Sequence, residues 1–134
     1  LICAALADRP ADLQLDAVSE DIEATIRCLR SLGASIIPRL GGFHICPIAE
    51  PAAMAELGES GSTLRFLLPV VAALGKGATL LGHGRLGMRP LTALCMALAG
   101  HGCRVEGAAL PLSIGGSLQS GLYTLPGDIS SQYI

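Results

Sequence analysis

Two short stretches of small polar residues stand directly in front of apolar runs, where they could bind a charged ligand. They are residues 59–63 (ESGST) and residues 127–132 (GDISSQ). The start of a helix exposes unpaired backbone N–H groups and a partial positive charge, and small side chains let a ligand approach the backbone closely. Both stretches therefore predict anion-binding helix starts for a phosphate or a carboxylate. For either stretch alone, simple N-capping by Ser or Thr is the commoner explanation.

A cationic candidate lies in residues 84–90 (GRLGMRP), where Arg89 precedes a proline typical of a first helical turn. An arginine beside a helix N-terminus is unfavourable, because that end of the helix is already positive. A shared anion would relieve the conflict, so Arg89 is a predicted ligand-binding residue; a solvated or loop-stabilising arginine is the alternative. Arg85 is a weaker candidate, and Arg65, inside an apolar helix, is expected to be a buried pairing residue.

Metal and acid–base chemistry find little support in the sequence. His44, His83 and His101 lack the spacing of metal ligands, so no metal is expected. Glu59 and Asp128 precede or begin the polar stretches, and each is interpreted as a turn or capping residue instead of a general base. The residues alone therefore predict an anion-binding protein without a visible catalytic acid–base pair.

The elements that position these residues follow a repeated order of helix, strand, helix, strand and strand, with a further strand leading into the next helix. Ser19 is the predicted N-cap of a helix that ends at Gly33. An apolar helix, buried on all sides, is predicted over 61–74 and ends at Gly75. The other predicted elements are the tail of an apolar helix over 1–7, strands over 12–15, 34–37, 43–48, 78–81, 103–105 and 110–114, and a helix from Pro90 to about Gly100.

Short sequences recur at a fixed offset. Ser62-Thr63 matches Ser130-Ser131 at an offset of 130 − 62 = 68 residues. Ala4-Ala5-Leu6 matches Ala72-Ala73-Leu74 at the same offset, since 72 − 4 = 68. Repeats of this length indicate an array that buries its helices between units. The expected organisation is a partial unit over 1–58, a complete unit over 59–124 and the start of a third over 125–134, and the chain is expected to be a fragment of a longer protein.

The composition excludes several classes of protein. The chain has 134 residues, is 51% hydrophobic and 3% aromatic, and carries a net charge of −2 with scattered basic residues. The core must therefore be aliphatic, and no nucleic-acid surface is indicated. The longest apolar run, residues 66–74, falls far short of the roughly 20 residues that span a membrane. Five widely spaced cysteines indicate buried, reduced thiols in a cytoplasmic protein.

Three motifs together resemble those of the 5-enolpyruvylshikimate-3-phosphate synthase family of enolpyruvyl transferases. They are residues 59–66 (ESGSTLRF), 85–90 (RLGMRP) and 125–133 (LPGDISSQY), in the family's order across the whole chain. The resemblance implies an α+β fold of repeated βαβαββ units, three in each of two domains, with helices buried between small mixed sheets. This chain would form part of the N-terminal domain.

The resemblance also implies an activity and a site. The family transfers the enolpyruvyl group of phosphoenolpyruvate to shikimate 3-phosphate in aromatic amino-acid (chorismate) biosynthesis, and it is the target of glyphosate. By matching position, Gly61 would line the phosphoenolpyruvate site and Arg89 would hold the anionic groups of phosphoenolpyruvate. Ser130 and Ser131 would bind shikimate 3-phosphate, and Gln132 would reach between the two substrates. The expected enzyme is a cytoplasmic monomer with no cofactor, no metal, and no nucleic-acid or membrane partner.

No catalytic residue is carried over to this chain, because the family's proton-transferring acids would follow Ile134 and its Lys-Ser-Arg motif would precede Leu1. We therefore expect no turnover by this chain alone. One alternative is UDP-N-acetylglucosamine enolpyruvyl transferase, which typically has a cysteine where this sequence has Gly84. A non-catalytic anion-binding repeat domain is another. RNA 3′-phosphate cyclases share the architecture, but the weak basic balance is unfavourable for RNA.

Overall fold

The computed structural model describes residues 1–107, 109–128 and 132, which form an α+β fold as predicted. In chain order the elements are α1 (Ile2–Ala5), β1 (Ala11–Gln14), α2 (Glu20–Ser31), β2 (Ser35–Arg39), β3 (Gly42–Cys46), β4 (Met54–Glu56), α3 (Gly61–Leu74), β5 (Ala78–Leu81), α4 (Thr92–Ala99), β6 (Cys103–Glu106) and β7 (Leu112–Gly116). A 3-10 turn, Leu86–Met88, lies between β5 and α4.

The strands form two small sheets that contain the same three-strand arrangement. The first sheet is β1-β3-β2 and is antiparallel. The second is β4-β5-β7-β6, in which β4 runs parallel to β5 and the other pairs are antiparallel. In β1-β3-β2 and in β5-β7-β6 alike, a helix connects the first strand to the strand at the far edge. The division of the chain into units at residues 58 and 124 stays a prediction.

The local signals for α2 are confirmed. The Ser19 side chain accepts a hydrogen bond from the backbone N–H of Ile22 at 3.3 Å, which satisfies one of the free donors at the helix start. The helix ends before Gly33, whose φ of +109° is in the left-handed region that favours glycine. A Cβ atom at Gly33 would also lie 2.7 Å from the carbonyl oxygen of Glu50, so the position admits no side chain.

The limits of α3 are those predicted, with Ser60 as N-cap and Gly75 in the left-handed conformation at the end. Leu64, Leu67 and Leu68 are fully buried, and α3 packs against α2, α4 and β7. The prediction that α3 is buried on all sides is nevertheless wrong. Phe66 is 47% exposed and lines an open cleft with Leu94, Leu98 and Leu118.

Other element boundaries shift by one or two residues. The last helix begins at Thr92 instead of Pro90, because Arg89 is extended and Leu91 serves as the N-cap. The strand β2 continues to Arg39 through Pro38, which is tolerated because β2 is an edge strand. No range was predicted for β4, since its three residues, Met-Ala-Glu, carry no strand pattern.

The core takes up some of the cysteines. Cys28 and Cys103 are buried as expected, whereas Cys3 is exposed, so its predicted burial is wrong. Burial, aided by the negative charge of Glu56, raises the pKa of the Cys28 thiol to about 12. Across the described part of the chain, no helix has the length and apolar character needed to span a membrane.

Candidate anion-binding site

Two hydroxyl groups at the start of α3 are engaged within the protein. Ser60 Oγ accepts hydrogen bonds from the backbone N–H of Thr63 at 3.1 Å and from the Thr63 hydroxyl at 2.7 Å. Because a carboxylate only accepts, Ser60 donates its own proton to Oδ1 of Asp21, 2.5 Å away on α2. Ser60 is 7% and Thr63 1% exposed. These two hydroxyls therefore cap α3 and tie it to α2, as the capping alternative predicts.

The free donors at this helix start are the backbone amides of its first two residues. The amides of Thr63 and Leu64 are satisfied by Ser60, through its side-chain oxygen and its carbonyl oxygen. Gly61 and Ser62 are the first two residues of α3, and their amides have no hydrogen-bond partner among the described residues. Gly61 has no side chain to shield them. The open donors of α3 therefore lie at the glycine that the sequence singles out.

Two guanidinium groups flank this glycine. Measured from where a Cβ atom would sit on Gly61, Nη1 of Arg65 is 3.4 Å away and Nε of Arg89 is 3.9 Å away. Arg65 follows Gly61 by one helical turn, and Arg89 comes from the loop that precedes α4. Two cations beside the positive end of a helix repel each other and the helix dipole, so this arrangement favours a bound anion. The space beside Gly61 is the centre of the candidate site.

Arg65 also links the site to the third motif. Its Nη1 donates a hydrogen bond to Oε1 of Gln132 at 2.8 Å, so Arg65 is a pairing residue as predicted, although its side chain is half-buried instead of buried. Its Nε is buried and has no hydrogen-bond partner in the described part of the chain. An unsatisfied buried donor is costly, by about 1–3 kcal/mol, unless a ligand or water completes it. Arg65 was not among the predicted site residues, although its i, i+4 spacing from Gly61 places both on one helix face.

Three of the predicted site residues, Gly61, Arg89 and Gln132, therefore lie together. Arg65 and Arg89 flank Gly61, and Arg65 donates a hydrogen bond to Gln132. Ser130 and Ser131 lie outside the described residues, so their roles stay predictions. From the residues alone, Arg89 is expected beside the start of the following helix, and only the family resemblance places it in one site with Gly61. In the structure its guanidinium lies beside the start of α3, and α4 begins at Thr92, after the extended Arg89 and the N-cap Leu91.

The three histidines lie on different elements: His44 is on β3, His83 is in the loop that follows β5 and lines a cleft with Glu59 and Ser60, and His101 follows α4. His44 Nδ1 lies 2.7 Å from Oδ1 of Asp12 on the first sheet. The His101 ring stacks on Tyr123 at the end of α4, with ring centroids 3.7 Å apart. Within the described ranges, no group of three His, Cys, Asp or Glu side chains is placed to hold a metal ion.

An acidic cleft borders the other side of the α3 start. Its volume is about 430 Å³, and four carboxylates line it together with His83 and one arginine, Arg27, which lies 3.8 Å from Glu23; the carboxylates belong to Glu20, Asp21, Glu23 and Glu59. These carboxylates repel an anion, whereas Arg65 and Arg89 attract one. The charge distribution therefore favours the arginine side of Ser60 for an anionic ligand.

The fold and the site together define an α+β domain that presents a glycine helix start and two arginines to an anion. The sequence profile of the family described as EPSP synthase (3-phosphoshikimate 1-carboxyvinyltransferase) matches residues 1–134. The chain therefore belongs to the EPSP synthase family, and the resemblance drawn from the three motifs is confirmed.

Individual relatives agree with this assignment. A 3-phosphoshikimate 1-carboxyvinyltransferase of Clostridium kluyveri is 38% identical over 141 residues, covering 100% of this chain and 33% of the relative. That of Thermococcus kodakarensis is 33% identical over 132 residues, covering 98% of this chain and 32% of the relative. A solved EPSP synthase from Acinetobacter baumannii matches 98% of this chain and 33% of its own, with a TM-score of 0.81 and 25% identity. The chain spans about a third of the length of these relatives.

Proposed function

We propose that this chain forms part of the substrate site of an enzyme that transfers the enolpyruvyl group of phosphoenolpyruvate to shikimate 3-phosphate, in aromatic amino-acid (chorismate) biosynthesis. The observation that carries the proposal is the pair of guanidinium groups within 4 Å of one point beside Gly61. Membership of the EPSP synthase family and the names of the relatives support the reaction. The placement of the chain in the N-terminal domain of a two-domain enzyme is part of the proposal.

Phosphoenolpyruvate suits the space beside Gly61 because it carries a carboxylate and a phosphate on a three-carbon frame. Guanidinium groups keep their charge at all relevant pH values and bind such groups through paired N–H donors. Arg65 and Arg89 would neutralise the charges, and the amides of Gly61 and Ser62 would add backbone donors. Glyphosate, an anionic phosphonate, would compete for the same groups.

Shikimate 3-phosphate would lie on the Gln132 side of the site. In this proposal Ser130 and Ser131 contact its phosphate, and Gln132, which accepts from Arg65, reaches between the two ligands. The two carboxylates nearest the α3 start, Asp21 and Glu59, are engaged with Ser60 and with the Arg85 backbone. The described side chains at this site therefore bind and orient anions, which is the part of the reaction that we assign to them.

The setting of the enzyme is also part of the proposal. We place it in the cytoplasm as a monomer that acts on small molecules, with neither nucleic acid nor membrane as a partner. The wide spacing of the cysteines, the net charge of −2 and the scattered basic residues support this setting.

A calorimetric titration of shikimate 3-phosphate into the chain tests the proposal, with inorganic phosphate and UDP-N-acetylglucosamine as controls. We expect selective binding of shikimate 3-phosphate that Ser131→Ala weakens. Equal affinity for inorganic phosphate would support the non-catalytic anion-binding alternative. Preference for UDP-N-acetylglucosamine would support the other enolpyruvyl transferase.

A further inference from the structure

Glu59 joins two parts of the site that are distant in sequence. It directly precedes Ser60, the N-cap of α3, and its Oε1 accepts a hydrogen bond from the backbone N–H of Arg85 at 2.8 Å. Gly84, with a φ of +62°, lies against the same carboxylate, and a Cβ atom at Gly84 would overlap it. The Glu59 carboxylate therefore contacts the backbone of the chain at Gly84 and Arg85.

Glu59 thus contacts the loop of residues 82–90, and this loop carries Arg89. At its base, the His83 N–H donates to the carbonyl of Gly58 at 3.0 Å. Beyond Arg85, the 3-10 turn couples the backbone tightly, because Met88 N–H donates to the Arg85 carbonyl at 3.1 Å and Arg89 N–H to the Leu86 carbonyl at 3.1 Å. A displacement of Arg85 would therefore be passed on to Arg89.

We propose that Glu59 is a positioning residue, whose carboxylate holds loop 82–90 against the start of α3 so that Arg89 faces Gly61. This inference rests on the proposed function of that site. From the sequence alone, this carboxylate is expected only in a turn or capping role.

The sign of the effect separates positioning from simple electrostatics. Glu59 is a negative charge close to a site for anions, so its charge alone opposes binding. If charge were its only influence, removing the charge by any substitution would strengthen anion binding. If its hydrogen bond positions Arg89, removing the acceptor weakens binding even though the charge is removed as well.

The variants E59Q and E59A make this distinction, since Gln keeps an Oε1 acceptor and Ala does not. We expect E59Q to bind phosphoenolpyruvate at least as tightly as the parent chain. E59A should bind it about 5-fold more weakly, because an exposed hydrogen bond of this kind contributes on the order of 1 kcal/mol. Glu20→Gln is the matched control, because it removes a charge from the same cleft without contacting the loop; it should not weaken binding.

Amide hydrogen exchange at Arg85 and the side-chain Nε–H resonance of Arg89 report on the loop without any ligand. We expect Arg85 to be protected in the parent chain and in E59Q, and to exchange faster in E59A with a shifted Arg89 resonance. Urea unfolding should show every variant folded, with E59A losing no more than the contribution of this one hydrogen bond, because Glu59 is exposed.

Two results would overturn the positioning role. One is an E59A variant whose Arg85 protection and Arg89 resonance match the parent chain, and the other is equal or tighter binding of phosphoenolpyruvate by E59A. Failure of the parent chain to bind phosphoenolpyruvate would instead contradict the proposed function. Hydrogen exchange at Arg85 and the Nε–H resonance of Arg89 would still decide whether Glu59 holds the loop.

Gly84→Ala tests the same contact from the other side. The added Cβ should displace the Glu59 carboxylate and weaken binding in the parent chain. In the E59A background its additional effect should be smaller, because the group that it displaces is gone and only the strain of alanine at a φ of +62° remains. Additive effects of the two substitutions would contradict a shared mechanism.

Discussion

Replacing Gly61 by alanine separates the stability of the chain from its affinity for an anion. The new Cβ would lie 3.4 Å from Nη1 of Arg65 and 3.9 Å from Nε of Arg89, so the protein accommodates it with little movement. Gly61 is the first residue of α3 and does not have a positive φ. Alanine restricts the unfolded chain more than glycine, so we expect the free energy of unfolding to be unchanged or to rise by up to about 1 kcal/mol.

The same methyl group occupies the space in which an anion would contact both arginines. Charge-assisted hydrogen bonds need donor–acceptor distances of about 2.7–2.9 Å, and a methyl between the donors prevents one oxygen from reaching both. Losing one such bond costs about 1.5–3 kcal/mol. We therefore expect Gly61→Ala to weaken phosphoenolpyruvate binding by roughly 10- to 100-fold.

Urea unfolding and calorimetric titration of phosphoenolpyruvate on the same preparations measure the two quantities. Unchanged affinity in Gly61→Ala would refute the reasoning, because it would mean that no ligand occupies the space between Arg65 and Arg89. A loss of more than about 1 kcal/mol in the free energy of unfolding would show that the methyl crowds the protein itself, and the affinity change could then not be assigned to the ligand.

Two further predictions concern stability. Asp21→Ala should lower the free energy of unfolding by about 1–2 kcal/mol in urea titrations, because the buried Ser60 hydroxyl loses its acceptor, while Asp21→Asn should lose less than half as much; equal losses would contradict the role of the carboxylate oxygen. The folded pKa of Cys28, about 12, lies above its ordinary value of 9.0, so the unfolded thiol ionises first as the pH rises. The contribution of the protonated Cys28 thiol to the free energy of unfolding is therefore complete below pH 9. Between pH 9 and 12 the free energy of unfolding falls by up to about 4 kcal/mol. Cys28→Ala should flatten the decline in the free energy of unfolding over this range, and an unchanged slope would contradict the prediction.

Features that depend on neighbouring residues in the chain were predictable. Ser19 and Gly33 mark the ends of α2, and Ser60 and Gly75 mark the ends of α3, because capping involves groups only a few residues apart. The three motifs sufficed to identify the family for the same reason, since each is a short local pattern.

Contacts between distant residues were not predictable. The acceptor of the Ser60 hydroxyl is Asp21, 39 positions earlier, and nothing in the local sequence of residues 59–63 indicates it. The closeness of Arg89 to Gly61 could not be read from residues 84–90, because it depends on the path of the loop; only the family resemblance placed the two residues in one site. Arg65 pairs with Gln132, in agreement with its predicted pairing role. Its place beside Gly61 could also have been predicted, because the two residues are four positions apart on α3.

Mapping phosphoenolpyruvate binding by nuclear magnetic resonance tests the central claim most directly. Backbone amide resonances of Gly61 and Ser62 and the side-chain Nε–H resonances of Arg65 and Arg89 would be followed as the ligand is added. We predict that these four shift together in a saturable manner, with smaller changes on α2 and the first sheet. Saturable shifts confined to another surface, or no shifts at these four groups at ligand concentrations that saturate the chain by calorimetry, would contradict the assignment of this site.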